Sequence, residues 1–345
     1  MQNIDSGIYP WHKKNWQTLQ GMGNKIPHAL LLHGPEGTGI VDFANSFAKS
    51  LLCEHRKEEG GACGKCQSCH WFDQESHPDF RKLFPESFDN DQGSDAIKSE
   101  DTDSKKSKSP SKKIPIEAVR QLNGYVNITT HRGGLRIMLI YPVESMTQEA
   151  SNALLKILEE PPENSLFLLV SSHIGSLLPT ILSRCAKLAF PLPTQMESLE
   201  WLKEHLVDEA ERWLAEQGGA PLLAKEAAEQ KLNVVEHTLF LQQLCSLSDK
   251  SLLKTAEQLQ KVPVRQIILW FQRWLYDLLS QSLTGCIRYY PAQSEIIRKL
   301  SGKASLGKLL EVIKQTTERK RRADHPLVQR LVMEDMLFEY NQIFK

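Results

Sequence analysis

A chain of 345 residues is long enough to bury two or three cores, and 42 Lys+Arg set against 42 Asp+Glu leave it without a net field. That balance argues against a strong autonomous nucleic-acid binder, so any DNA contact is expected to be shared with partners. No apolar run reaches bilayer length and MQNIDSGIYP has neither a basic nor an apolar leader region, so a cytoplasmic protein without a membrane partner is expected.

Trp11 and Trp16 come first; then, after Pro27, the apolar run Ala29 to Leu32 reads as a buried strand. It enters Gly34-Pro35-Glu36-Gly37-Thr38-Gly39, which has the spacing of a phosphate-binding loop of the form G-x-x-x-x-G-K-[ST]. In a working loop the lysine reaches the β- and γ-phosphates and the hydroxyl ligates Mg²⁺, while backbone N–H groups cradle the phosphates. Those two positions are Ile40 and Val41 here. Gly34, Gly37 and Gly39 are therefore read as a vestigial nucleotide-binding loop with no ATP hydrolysis expected. An ordinary glycine-rich turn accounts for the same letters. Ile40, Phe43, Ala44, Phe47, Ala48 and Leu51 recur at offsets of three and four, one apolar helix face for a sheet.

Four of the seven cysteines follow as Cys53, Cys63, Cys66 and Cys69 in the pattern C-x9-C-x2-C-x2-C. In a reducing compartment such clustering points to metal, and four thiolates close a tetrahedral zinc site, making it structural. Gly60, Gly61 and Gly64 let the backbone turn around it. Free surface cysteines are the plain alternative, and His55, His70 or His77 could replace Cys53 as the fourth ligand.

A short strand is expected over Phe80 to Leu83. From Ser87 to Lys113 the composition turns to Asp, Ser and Lys, which reads as a disordered insertion. Its lysines could touch DNA, but the adjacent acidic half favours a solvated loop. Val119, Leu122 and Val126 mark a helix, His131-Arg132-Gly133-Gly134 a basic turn, and Arg136 to Ile140 a strand buried on both faces. A nucleotide hydrolase of this layout would continue with Asp-Glu, for Mg²⁺ and for the attacking water. The chain has Tyr141-Pro142, with Glu144 slightly downstream.

Met146 to Ser172 contains Ala150, Asn152 to Lys156 and Leu158 to Pro162, matching A-x-N-A-L-L-K-x-L-E-E-P-P. With the segment Ile26 to Leu31, the four-cysteine module, His77 to Phe80 and Leu182-Ser183-Arg184-Cys185, this closely resembles the bacterial clamp-loader AAA+ subunits of DNA polymerase III. Among them the broken loop with an intact Ser-Arg-Cys is similar to the non-hydrolysing member, whereas gamma/tau would keep Lys and Ser/Thr at Ile40 and Val41. The insertion departs from the usual pattern.

The resemblance implies an α/β AAA+ domain over 1–190, a parallel sheet with flanking helices and the zinc module at 53–69 inserted, with the disordered insertion at 87–113. A small helical lid over 191–232 and an all-α collar over 233–345 are expected to follow. It implies that Arg184 acts catalytically in trans, an arginine finger toward ATP bound by a neighbour. From the residues alone a structural salt bridge after the short helix Leu177 to Ser183 serves as well. Cys185 is expected in the core, ahead of an apolar strand Leu188 to Phe190. The implied partners are gamma/tau and delta in a pentamer, with the sliding clamp and primer-template DNA reached through the complex. Polymerase activity then belongs to the holoenzyme. An AAA+ ATPase with an atypical loop, or a zinc-containing nucleic-acid-binding module, are the competing readings.

In the lid, helices are expected near Met196 to Leu206 and Asp208 to Glu216, then another after Gly218-Gly219-Ala220-Pro221. Where active relatives carry a phosphate-sensing arginine, this chain has Leu222-Leu223-Ala224. Further on, Val264, Ile267, Ile268, Phe271, Leu275 and Leu278 form one apolar stripe with Trp270 and Trp274 beside it. Pro326 is expected to open a last helix through Leu327, Leu331 and Phe338.

Overall fold

The computed structural model describes residues 8–58, 60–88, 111–126, 134–231, 233–246, 252–322 and 329–344. The chain divides into two compact units, Met1–Pro193 and Thr194–Lys345.

The first unit is built on five parallel strands in the order β2-β3-β4-β1-β5. They are β1 (Ala29–His33), β2 (Phe80–Leu83), β3 (Arg136–Ile140), β4 (Ser165–Ser171) and β5 (Ala186–Ala189). Around them lie α1 (Lys13–Met22), α2 (Ile40–Leu52), α3 (Gln67–Asp73), α4 (Ile116–Val126), α5 (Gln148–Glu159) and α6 (Pro179–Arg184). The central strands are apolar without alternation because both faces are covered. Leu30, Leu32, Ile137, Leu139, Leu166 and Leu168 pack with Phe43 and Phe47 of α2. On the other face Ala29, Leu31, Met138, Ile140, Phe167 and Leu169 pack with Leu122 of α4, Leu154 of α5 and Ile181 of α6. Neighbouring residues thus feed opposite cores, the period of two that a strand imposes. Thr147 caps α5 by accepting from the Ala150 N–H.

Three expectations are corrected in this unit. The short helix runs Pro179–Arg184 instead of Leu177 to Ser183, since Pro179 suits the first helical turn and Leu177 and Leu178 are still extended. The last strand is Ala186–Ala189, not Leu188 to Phe190, and as an edge strand paired with β1 it is mostly exposed. Phe190, past its end, is buried and donates its N–H to His33 O at 2.8 Å. Of the stretch 87–113 expected to be disordered, the described ends are ordered: Ser87 N donates to Ser111 O at 3.1 Å and Ser111 N to Glu86 at 3.2 Å. Residues 89–110 and the basic turn at 131–133 lie outside the described residues.

The second unit is helical: α7 (Gln195–Glu204), α8 (Ala210–Glu216), α9 (Pro221–Gln230), α10 (Val234–Ser246), α11 (Leu252–Gln258), α12 (Val264–Thr284), α13 (Ser294–Ser301), α14 (Leu306–Arg322) and α15 (Gln329–Gln342). α12 buries its expected stripe from Ile267 to Leu278 together with Trp270 and Trp274, with Val264 half-buried at its start, and Trp274 Nε1 donates to Tyr340 Oη at 2.9 Å. Asp277 is completely buried and accepts the N–H groups of Arg288, Tyr289 and Tyr290. The last helix turns inward a face that includes neither Leu331 nor Phe338. Leu331 and Phe338 are 60% and 56% exposed, whereas Met333, Met336, Leu337 and Tyr340 enter the core. Pro326 and Leu327 lie outside the described residues. Among the described residues no helix is long and apolar enough to cross a membrane.

Candidate nucleotide loop, metal module and exposed arginine

The loop between β1 and α2 turns on its glycines. Gly37 and Gly39 have φ of 73° and 84°, a region open to glycine, and Gly39 caps α2. A Cβ on Gly34 would stand 2.0 Å from Phe190 O, so glycine there lets the chain just past β5 approach. Ile40 is buried and Val41 half-buried, both within the hydrophobic packing of α2.

What surrounds the loop is unsuited to phosphate. Tyr9 lies against Gly39, its hydroxyl donates to Asp42 Oδ2 at 2.9 Å, and its ring stacks on Trp11 at 5.1 Å. Trp11 Nε1 in turn donates to Thr38 O at 2.9 Å. Beyond the strand ends a cavity of about 410 Å³ is lined by His33, Gly34, Pro35, Glu36, Ser172, His173 and Ile174. Ser172 Oγ lies 2.8 Å from Glu144 Oε1 and 3.2 Å from Glu36 Oε1. Burial pushes the Glu144 carboxyl up, but hydrogen bonds from its own backbone, Ser172 and Ser171 outweigh that and hold it below the ordinary value. One carboxylate, Glu36, thus lines the cavity with Glu144 behind Ser172, and among the described lining residues there is neither lysine nor arginine. The sequence pointed to Glu144 but gave no reason to place Tyr9 or Glu36 here.

The cysteine module folds between α2 and α3. The Sγ atoms of Cys53, Cys63, Cys66 and Cys69 all lie within 4.8 Å of one another, and two pairs stand at 3.9 Å. At a Zn–S bond of about 2.3 Å a tetrahedron has edges of roughly 3.8 Å, so the donor set fits one zinc ion. Backbone N–H groups already point at sulfur: Cys63 N to Cys53 at 3.2 Å, Cys66 N to Cys63 at 3.3 Å and Cys69 N to Cys66 at 3.4 Å. The N–H groups of Lys65 and Cys66 lower the Cys63 thiol to about 6. Glu54 accepts from Ser68 N and Oγ, fixing the start of α3, and Gln20 donates to Gly60 O at 3.1 Å, tying the module to α1. His55 and His70 are exposed, and buried His77 accepts from Asp79 N, so none of the three belongs to the cluster.

Arg184 ends α6 and is 33% exposed on its side chain. Its Nη2 meets Glu159 Oε1 at 2.6 Å and its Nη1 donates to Thr180 O at 3.0 Å. Cys185 beside it is buried in the core, as expected. In the second unit Leu222 and Leu223 are half-buried and Ala224 is buried.

Residues 11–194 match the family described as DNA polymerase III, delta subunit, and residues 233–342 match its C-terminal counterpart. DNA polymerase III subunit delta' of Pseudomonas aeruginosa is 37% identical over 288 residues, 80% of this chain and 79% of that protein. The delta' subunits of Haemophilus influenzae and Yersinia pestis are each 30% identical, over 81% and 89% of this chain and 79% and 87% of theirs. A gamma subunit-related protein from Thermotoga maritima shares the fold, with a TM-score of 0.51 at 16% identity over 96% of this chain and 99% of that one.

Proposed function

The chain belongs to the DNA polymerase III delta prime family, clamp-loader components, and from that premise we propose that it is a non-hydrolysing subunit that supplies Arg184 in trans to a neighbouring ATPase. The observation that carries this reading is the pairing of a disabled loop with an accessible arginine. Ile40 and Val41 stand where a cation and a metal ligand are needed, Tyr9 closes on Gly39, and the cavity beside the loop carries the Glu36 carboxylate and no lysine or arginine among its described lining residues. Arg184 meanwhile sits at the end of a helix with its guanidinium partly exposed. A forked, permanently charged donor placed where negative charge develops is typically worth about 10³–10⁵ in rate.

The partners in this reading are gamma/tau and delta in a pentamer, working on the sliding clamp and primed DNA in the cytoplasm. The AAA+ domain ends near 190, a lid spans 191–232, and 233–345 forms the collar that binds neighbours. Exposed Leu331 and Phe338 on α15 support that last role. Cys53, Cys63, Cys66 and Cys69 hold a structural zinc. With four protein ligands it has no open position, so it stabilises the fold and takes no part in hydrolysis.

The test is ATP turnover by this chain alone and by the complex reconstituted with gamma/tau and delta. The chain alone is expected to hydrolyse nothing, and Arg184→Ala to leave assembly intact while cutting turnover of the complex. Hydrolysis by the isolated chain that Gly39 substitutions abolish would instead identify an ATPase with an atypical loop.

A further inference from the structure

Resting on the arginine-finger reading, we propose that Glu159 is a positioning residue which holds the Arg184 guanidinium against its own subunit until a neighbour's triphosphate displaces it.

Both terminal nitrogens of Arg184 are engaged at home. Nη2 is paired with Glu159, and Nη1 donates to Thr180 O and, at 3.4 Å, toward Ser183 Oγ. With Nη2 on the Glu159 carboxylate and Nη1 on the Thr180 carbonyl, both terminal nitrogens of the fork are engaged, so gripping a phosphate bidentately through them competes with the carboxylate. Glu159 is the last residue of α5, where unpaired carbonyls disfavour a negative side chain and a cation is favoured. Arg184 is that cation, and it closes the end of α5 against the end of α6.

The strength of the pair suits a release. Side-chain exposures of 33% and 49% leave it screened and open to water, so it selects a resting rotamer without locking it. A γ-phosphate offers more charge than a carboxylate and can be gripped bidentately, so exchange of partners conserves the ion pair instead of breaking it. A pair serving only to staple α5 to α6 would behave differently, because its loss would act equally whether or not Arg184 reaches ATP.

The experiment compares wild type, Glu159→Gln and Glu159→Asp in the reconstituted complex, each with and without Arg184→Ala, measuring kcat and KM for ATP. Glu159→Gln is expected to lower KM about two- to fivefold, with kcat changed by less than about twofold, the range set by an exposed ion pair. Glu159→Asp, which keeps the charge, should return KM toward wild type. In the Arg184→Ala background Glu159→Gln should change nothing. An unchanged or raised KM, or the same shift in the Arg184→Ala background, overturns the proposal. Wild-type turnover by Arg184→Ala itself would show that the finger reading fails, a separate outcome.

Discussion

The ring of Tyr9 occupies the space a side chain on Gly39 would need: a Cβ built at position 39 stands 2.1 Å from Tyr9 Cε2. The N-terminal segment has therefore folded onto the loop that nucleotides use in related architectures. The positive φ of Gly39 adds a second reason for glycine, since an L side chain is strained at 84°.

Gly39→Ala should destabilise the first unit by about 1–3 kcal/mol, the scale of strain at a sparsely populated backbone conformation. In a Tyr9→Ala background the steric part disappears and the cost should fall, leaving the backbone part. Urea unfolding of the four variants measures the coupling, and additivity would show that the contact does not govern the loop.

Cys66→Ser should abolish metal binding and unfold the segment around 53–73. Apparent binding energies of roughly 10–16 kcal/mol in finger peptides make the metal decisive for so small a module. Metal analysis with hydrogen exchange tests this, and full metal content with unchanged protection would contradict the ligand set. α2, with its own apolar face in the sheet core, should keep its protection.

His12 is buried among Tyr9, Trp11, Phe43 and Phe190, and neither ring nitrogen has a partner among the described residues. Burial lowers its pKa to about 4. A lowered folded value means that the unfolded chain takes up the proton first. Stability is therefore intact above pH about 6.5 and falls as pH drops toward 4, by at most about 3 kcal/mol at 1.36 kcal/mol per unit. His12→Phe should flatten that decline in the pH dependence of unfolding. Parallel curves for the two proteins would exclude it.

Asp277→Ala should cost about 3–5 kcal/mol, because three backbone N–H groups at 288–290 lose their acceptor inside the second unit. Asp277→Asn retains one acceptor oxygen and should cost less. Chemical denaturation distinguishes them, and equal loss from both would assign the role to charge alone.

The sheet and the cysteine site were legible because each rests on local pattern. Unbroken apolar runs mark strands covered on both faces, and C-x2-C steps bring sulfurs together whatever the rest does. Tyr9 over Gly39, Glu36 near Ser172 and the Glu159–Arg184 pair were not, since each joins residues whose meeting depends on the completed fold. The inward face of the last helix was not legible for a related reason. Leu331 and Phe338 share a face by spacing, but Met333, Met336, Leu337 and Tyr340 compete for burial and reach Trp274 and the α12 core. The glycines of the loop were read from their spacing alone, which says nothing of the Tyr9 ring lying against Gly39.

The direct measurement is a structure of the assembled ring with a non-hydrolysable ATP analogue on the neighbouring subunit. The account predicts the Arg184 guanidinium released from Glu159 and within hydrogen-bond reach of that analogue's γ-phosphate, with no nucleotide at Gly34 to Gly39. A guanidinium still held on its own α5, remote from any neighbour's triphosphate, would contradict it.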